Sequence, residues 1–281
     1  MSDLHAINDA INQRAGRKLL PSIATSLSLM IGVWALLVYF KIGFAALVAL
    51  AIVLAIKELA HAYSSTDTYV SKRSLMLSAV GLSAGAWWGG IRGLAVGLVV
   101  ALSLMLILLL RKGPQGFVKS ASASVFALVY LPFLTSFLIL LARPHNGLQQ
   151  VATFVILVTC NDTFGYVVGV LIGKHPMVPH ISPKKSWEGL AGSILFTTVG
   201  GYLAFDNLLH LNPWIGAAVG LLAVVTATTG DLIESSIKRD FAIKDMGNLL
   251  PGHGGVMDRL DSIVLTAPTL WLVLELVKRY L

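Results

Sequence analysis

The polar positions of this chain are confined to a few short stretches, and between them run apolar windows of membrane-crossing length. A helix needs about 20 apolar residues to cross a bilayer. Windows near that length fall at 20–40, 42–62, 74–90, 93–110, 120–141, 150–172, 190–209, 214–234 and 261–280. The pattern predicts an all-α polytopic integral membrane protein with about nine transmembrane helices. The third and fourth windows are short and flank Gly89-Gly90, so a re-entrant pair is the alternative there. Two polar loops, 173–189 and 235–260, remain in the second half.

Composition agrees and charge adds direction. The 281 residues are 56% hydrophobic and 12% charged, against about 25% charged in soluble domains. One cysteine, Cys160, excludes an internal disulfide and a cysteine-based zinc site. The net charge of +7 reads as membrane orientation and anionic lipid, not nucleic acid. With nine spans, 16 of the 21 Lys and Arg fall on the N-terminal side and 5 on the other. That bias predicts a cytoplasmic N-terminus and cytoplasmic polar loops. The residues up to Lys18 do not read as a cleaved signal.

The first half carries little chemistry. Glu58 and His61 sit one turn apart near the cytoplasmic end of the second window and read as snorkelling interface residues. In the sixth window Asp162 lies near the middle, where an ionised carboxylate costs roughly 3 kcal/mol or more, so a functional role outweighs packing. Gly165, Gly169 and Gly173 form a small-residue stripe that admits another backbone. In the next loop Pro183 is placed to start a helix after Ser182, with Lys184, Lys185 and Ser186 in its first turn. Free N–H groups and lysines there suit a phosphate, although a positive-inside flank explains the lysines equally well.

The last third concentrates the charge. Asp231, Glu234, Ser235 and Lys238 share one helical face, and Glu234 with Lys238 can be a plain surface pair. Pro251–Gly255 is a turn feeding a helix that carries Asp258 and Asp261 one turn apart. Backbone amides at Gly254 and Gly255 are suited to phosphate oxygens. Carboxylates without cysteine describe a hard-oxygen site that suits one or two Mg²⁺ ions. The expected ligands are Asp231, Asp258 and Asp261, with Asp162 as a further one. His253, the nearby imidazole, is expected to position phosphate or metal-bound water, not to act as an essential base. Metal carboxylates beside phosphate-binding lysines are the equipment of phosphoryl or nucleotidyl transfer.

The run Ser235-x-Ile237-Lys238-Arg239-x4-Lys244-Asp245-x-Gly247-x2-Leu250-Pro251-x-His253-Gly254-Gly255-Val256-x-Asp258-Arg259-x-Asp261 resembles, position by position, the signature of CDP-diacylglycerol synthases (phosphatidate cytidylyltransferases). Asp162-Thr163-x-Gly165-Tyr166, Ile181–Gly189 and Gly230-Asp231-Leu232 resemble further segments of that family. The likeness covers roughly the C-terminal half. It departs at Val170, where many relatives are basic, and at Ser186, where many carry threonine. The resemblance implies that CTP and phosphatidate react to CDP-diacylglycerol and pyrophosphate with Mg²⁺, in an integral membrane protein that is often a homodimer. It implies catalytic roles for Asp231, Lys238, Arg239, Lys244, Asp245, His253, Asp258, Arg259 and Asp261. Ser182, Lys184, Lys185, Ser186, Gly254 and Gly255 are expected on substrate phosphates. Residues 1–141 are expected to form a scaffold with a dimer surface and 142–281 the catalytic region, in the cell membrane. A CDP-alcohol phosphotransferase would instead show D-G-x2-A-R, which does not occur. An ion transporter would explain Asp162 and Asp231 but not the glycine turn or the lysines.

Overall fold

The structure is a computed structural model that describes residues 30–247, 249 and 254–280. The described chain is a bundle of helices: α1 Met30–Tyr39, α2 Lys41–Tyr63, α3 Lys72–Leu110, α4 Phe117–Ala142, α5 Gly147–Ile172, α6 Trp187–Ala204, α7 Pro213–Asp240 and α8 Met257–Tyr280. Between α5 and α6 a small antiparallel hairpin pairs β1 (Pro176–Val178) with β2 (Ser182–Ser186). Local sequence sets several starts. Ser71 caps α3 by accepting from the Ser74 N–H, and Asn212 caps α7 with Pro213 in the first turn. Within α4, Pro132 lacks an N–H and the helix widens into a π turn over Val129–Phe133.

Six described helices are long and apolar enough to cross a membrane: α2, α3, α4, α5, α7 and α8. The all-α membrane architecture stands, and the six helices among the described residues do not establish the expected count of nine. Windows 74–90 and 93–110 are the two arms of α3 on either side of Gly90, in keeping with the re-entrant alternative, α6 is not among the six, and window 20–40 begins outside the described residues. The α3 backbone is not straight. Gly90 has φ 60° and ψ −147°, a conformation closed to helices, and the chain folds back there. A Cβ on Gly85 would stand 2.6 Å from the Gly93 carbonyl oxygen, so the two arms pack backbone to backbone.

Two ends of the bundle are distinguishable by their polar contacts. At one end Lys41 Nζ donates to the carbonyls of Pro144 and His145 at 2.7 and 3.0 Å, and the Arg143 guanidinium lies against Gly90. At the other end Lys112 sits over the Tyr69 ring, and the hairpin meets α7 and α8. The expected charge partition puts these residues on the same two sides. The second half packs in chain order, α5 on α6, α6 on α7 and α7 on α8. In lipid such contacts depend on close packing because the hydrophobic drive is absent. Glycine supplies it. A Cβ on Gly230 would collide with the carbonyl oxygen of Asp261, so the bare backbone of α7 lets Asp231 and Asp261 come together.

One local expectation is overturned. The helix expected after Ser182 begins four residues later, at Trp187, and Ser182–Ser186 is strand β2. The N-cap is Ser186, whose Oγ accepts from the Gly189 N–H at 3.1 Å. Glu188 then fastens the incoming chain. Its carboxylate accepts from the N–H groups of Lys174 and His175 at 3.1 and 3.2 Å and pairs with His175 Nδ1 at 2.6 Å.

Candidate active site

A cavity of about 390 Å³ opens where α5, α7, α8, the hairpin and the start of α6 meet. Helix α5 contributes Asn161, Asp162 and Tyr166, and β2 contributes Ser182, Lys184, Lys185 and Ser186. Asp231 enters from α7, and Asp258, Arg259, Asp261 and Ser262 from the first turns of α8. The small-residue stripe of α5 does what its spacing predicts. Gly165 and Gly169 lie against Ser193, Ser186 and Gly189, which draws the hairpin and α6 onto the Asp162 face.

The carboxylates converge. Ligand oxygens of Asp231, Glu234 and Asp261 all lie within 4.8 Å of one another. Glu234 is wholly buried, and its Oε1 has no hydrogen-bond partner among the described residues. It is therefore not the surface partner of Lys238 that its spacing suggests, although the two do pair. Three carboxylates so close, one of them buried with an unsatisfied oxygen, call for positive charge. Lys185 Nζ supplies some of it at 2.7 Å from Asp231 Oδ2, and Lys238 supplies more from beneath. The remaining deficit and the all-oxygen donors fit Mg²⁺.

Asp258 and Asp162 are not members of that trio, although Asp258 shares Lys238 with Glu234. Asp258 Oδ1 accepts from Lys238 Nζ at 3.0 Å, and Oδ2 accepts from the N–H groups of Met246 and Gly255 at 3.0 and 2.8 Å. Asp162 Oδ1 accepts from Asn161 Nδ2 at 2.9 Å and from Ser262 Oγ at 3.2 Å. Asp162 is open to the cavity, which answers the cost of a carboxylate at mid-helix depth.

The other expected residues fall into two groups. Lys184 and Arg259 line the cavity. Arg239 does not, because its Nε donates to the Ile181 carbonyl at 3.2 Å and ties α7 to the hairpin. Lys244 and Asp245 are exposed on the loop after α7 and are not among the residues that line the cavity, although Asp245 lies beside Gly254. Gly254, with φ 78°, and Gly255 fold over Asp258. His253 lies outside the described residues. Sequence reasoning missed Glu234 as a site residue. The one-turn spacing from Asp231 was the available clue, and burial was not visible from it.

Residues 22–277 match the cytidylyltransferase family. The chain belongs to that family. It is 39% identical over 279 residues to the phosphatidate cytidylyltransferase of Mycobacterium bovis, covering 94% of this chain and 90% of the relative. The Mycobacterium tuberculosis phosphatidate cytidylyltransferase is likewise 39% identical, with 94% and 84% covered. The corresponding protein of Staphylococcus haemolyticus is 32% identical over 208 residues, covering 73% of this chain and 77% of its own length. The match therefore extends through α2–α4, where the sequence offered no motif.

Proposed function

We propose that this chain is a phosphatidate cytidylyltransferase that transfers CMP from CTP to phosphatidate, releasing pyrophosphate. The observation that carries the reading is the meeting, in one cavity, of the Asp231–Glu234–Asp261 carboxylates with Lys184 and Lys185. The triphosphate seats against Lys184, Lys185, Ser182 and Ser186, where ammonium and hydroxyl donors match phosphate oxygens. Asp231, Glu234 and Asp261 would hold Mg²⁺, with Asp162 within reach of the same space. Bound there, Mg²⁺ supplies charge neutralisation for the triphosphate and the departing pyrophosphate.

A phosphate oxygen of phosphatidate forms the new bond to the α-phosphorus of CTP, and the bond from that phosphorus to the bridging oxygen of pyrophosphate breaks. A phosphomonoester has its second pKa near 6, so the nucleophile is mostly ionised at neutral pH and needs no strong base. The protein's task is to bring two polyanions together, which Arg259, Lys184 and Lys185 serve at the cavity wall. Tyr166 lines the cavity yet is 67% exposed on the outer side of α5. That edge is our candidate for sideways entry of phosphatidate from the inner leaflet, with CTP entering from the cytoplasm. We assign residues 1–141 to the scaffold and a homodimer surface, and 142–281 to catalysis, in the cell membrane. Purified protein given radiolabelled CTP, phosphatidate and Mg²⁺ should form labelled CDP-diacylglycerol. No lipid product, or product without phosphatidate, would reject the reading.

A further inference from the structure

Glu58 belongs to α2, in the half of the chain without motifs, and its sequence position suggests only a polar residue at an interface. Its side chain is instead turned inward onto the catalytic half. Oε1 accepts from the Val256 N–H and Oε2 from the Met257 N–H, both at 2.9 Å. These amides open α8 and have no partner within the helix. Such donors are usually capped by a side chain just upstream. Here the cap arrives from a residue 198 and 199 positions earlier. A negative charge at that end also opposes the positive pole of the helix dipole.

The loop before α8 is moulded on the same carboxylate. A Cβ on Gly247 would stand 2.5 Å from Oε1, and one on Gly255 would stand 2.5 Å from Oε2. Both stretches of the loop therefore press on Glu58 with bare backbone. From there a hydrogen-bonded chain leads to the site. The Gly255 and Met246 N–H groups donate to Asp258, Lys238 joins Asp258 to Glu234, and Asp261 follows one turn along α8. Glu58 itself does not line the carboxylate cavity. It lines a separate cleft of about 400 Å³ with Lys57 and His61.

We infer that Glu58 is a positioning residue for the transfer reaction: its two carboxylate oxygens fix the start of α8 and so the register of Asp258 and Asp261 against Asp231 and Glu234. The geometry requires two acceptors. Glutamine offers one acceptor and one donor, and the donor would face an N–H. Aspartate keeps both oxygens but is shorter by one methylene.

The activity part of the test rests on the proposed function, so a second readout is taken without substrates. Full-length wild type, Glu58→Gln, Glu58→Asp and Glu58→Ala are compared in detergent by amide hydrogen exchange, Mn²⁺ binding and turnover of CTP with phosphatidate. Losing one charge-assisted bond predicts about tenfold or faster exchange at 254–258 in Glu58→Gln, with α2 and α7 unchanged. Mn²⁺ affinity and kcat should each fall about 10- to 100-fold, with KM for phosphatidate within about twofold. Glu58→Asp should recover part of the loss. Unchanged exchange at 254–258 would overturn the inference, as would loop opening with full kcat. Faster exchange throughout the bundle would also overturn it, because that is a purely structural role. If Glu58→Ala does not fold, the nearly isosteric Gln variant decides. A wild type that turns over no CTP would sink the proposed function, while exchange and Mn²⁺ binding would still judge Glu58.

Discussion

Lys185 Nζ lies 2.7 Å from Asp231 Oδ2, with the two side chains 22% and 31% exposed, so the hairpin and α7 are joined by an ion pair at the cavity wall. A lysine expected on substrate phosphate is thus parked on a carboxylate expected to hold metal. Were a cation to neutralise Asp231, Lys185 would be free to reach the triphosphate. This exchange needs a mobile point charge on a flexible stem, which is what lysine provides. Removing it should cost one charge-assisted contact, roughly 1.5–3 kcal/mol or about 10- to 100-fold in kcat/KM for CTP. Steady-state kinetics of Lys185→Ala checks this, and unchanged kcat/KM would remove Lys185 from the nucleotide site.

The carboxylate trio gives a second expectation. Glu234→Gln, Asp231→Asn and Asp261→Asn preserve shape but remove charge from the cluster of Asp231, Glu234 and Asp261. Each should lower kcat by about 10³-fold or more, as expected when a metal ligand for phosphoryl chemistry is lost. Mn²⁺ binding to the purified protein, followed by electron paramagnetic resonance without substrate, should weaken in parallel. Near-normal turnover at saturating Mg²⁺ would exclude the altered residue as a ligand.

Asp258 should behave differently from Asp261, although the two stand one turn apart. Its oxygens are occupied by Lys238 and by the Met246 and Gly255 N–H groups. Asp258→Asn should therefore disorder the loop as well as reduce activity. Hydrogen exchange at Met246 and at 254–256 should rise in Asp258→Asn and stay unchanged in Asp261→Asn. Equal behaviour of the two variants would contradict the division of roles.

What the sequence made legible was local. Periodic apolar windows gave the helices, and the run from Ser235 to Asp261 pointed to the region of the site. The Gly165–Gly169 stripe pointed to the close approach of α6. What stayed hidden was long-range or depended on burial. Ser186 is both the end of a strand and a helix cap, and one-residue propensities do not choose between a proline-started helix and a hairpin. Glu234 looks like any i,i+4 partner of lysine until α8 covers it. Glu58 meets Val256 across 198 positions of the chain, a separation at which no spacing rule applies.

Glycine packing supplies a further prediction. A methyl group on Gly230 would strike the Asp261 carbonyl, whereas one on Gly81 meets nothing within 4 Å. Overpacking of this kind costs typically about 1–3 kcal/mol. Gly230→Ala should lower the unfolding temperature and reduce activity, because α7 and α8 must separate where they carry Asp231 and Asp261. Gly81→Ala should leave both unchanged or slightly raise stability. Thermal unfolding in detergent with parallel activity assays distinguishes the two, and equal tolerance at both positions would mean α7 and α8 do not cross at Gly230.

The orientation of the site follows from charge and can be tested at two exposed positions. His180, in the hairpin turn, and His145, in the loop between α4 and α5, are both exposed. His145 sits at the end where Lys41 and Arg143 gather, and His180 at the end with Lys184, Lys185 and Arg239. The excess of Lys and Arg at the second end predicts that it is cytoplasmic, the side that holds CTP. In a Cys160→Ser background, His180→Cys should react with an impermeant thiol reagent only in inverted vesicles. His145→Cys should react only from the outside of intact cells. Labelling of position 180 in intact cells would invert the topology and leave the carboxylate cavity facing a compartment without nucleotide, and the proposed reaction could not then stand.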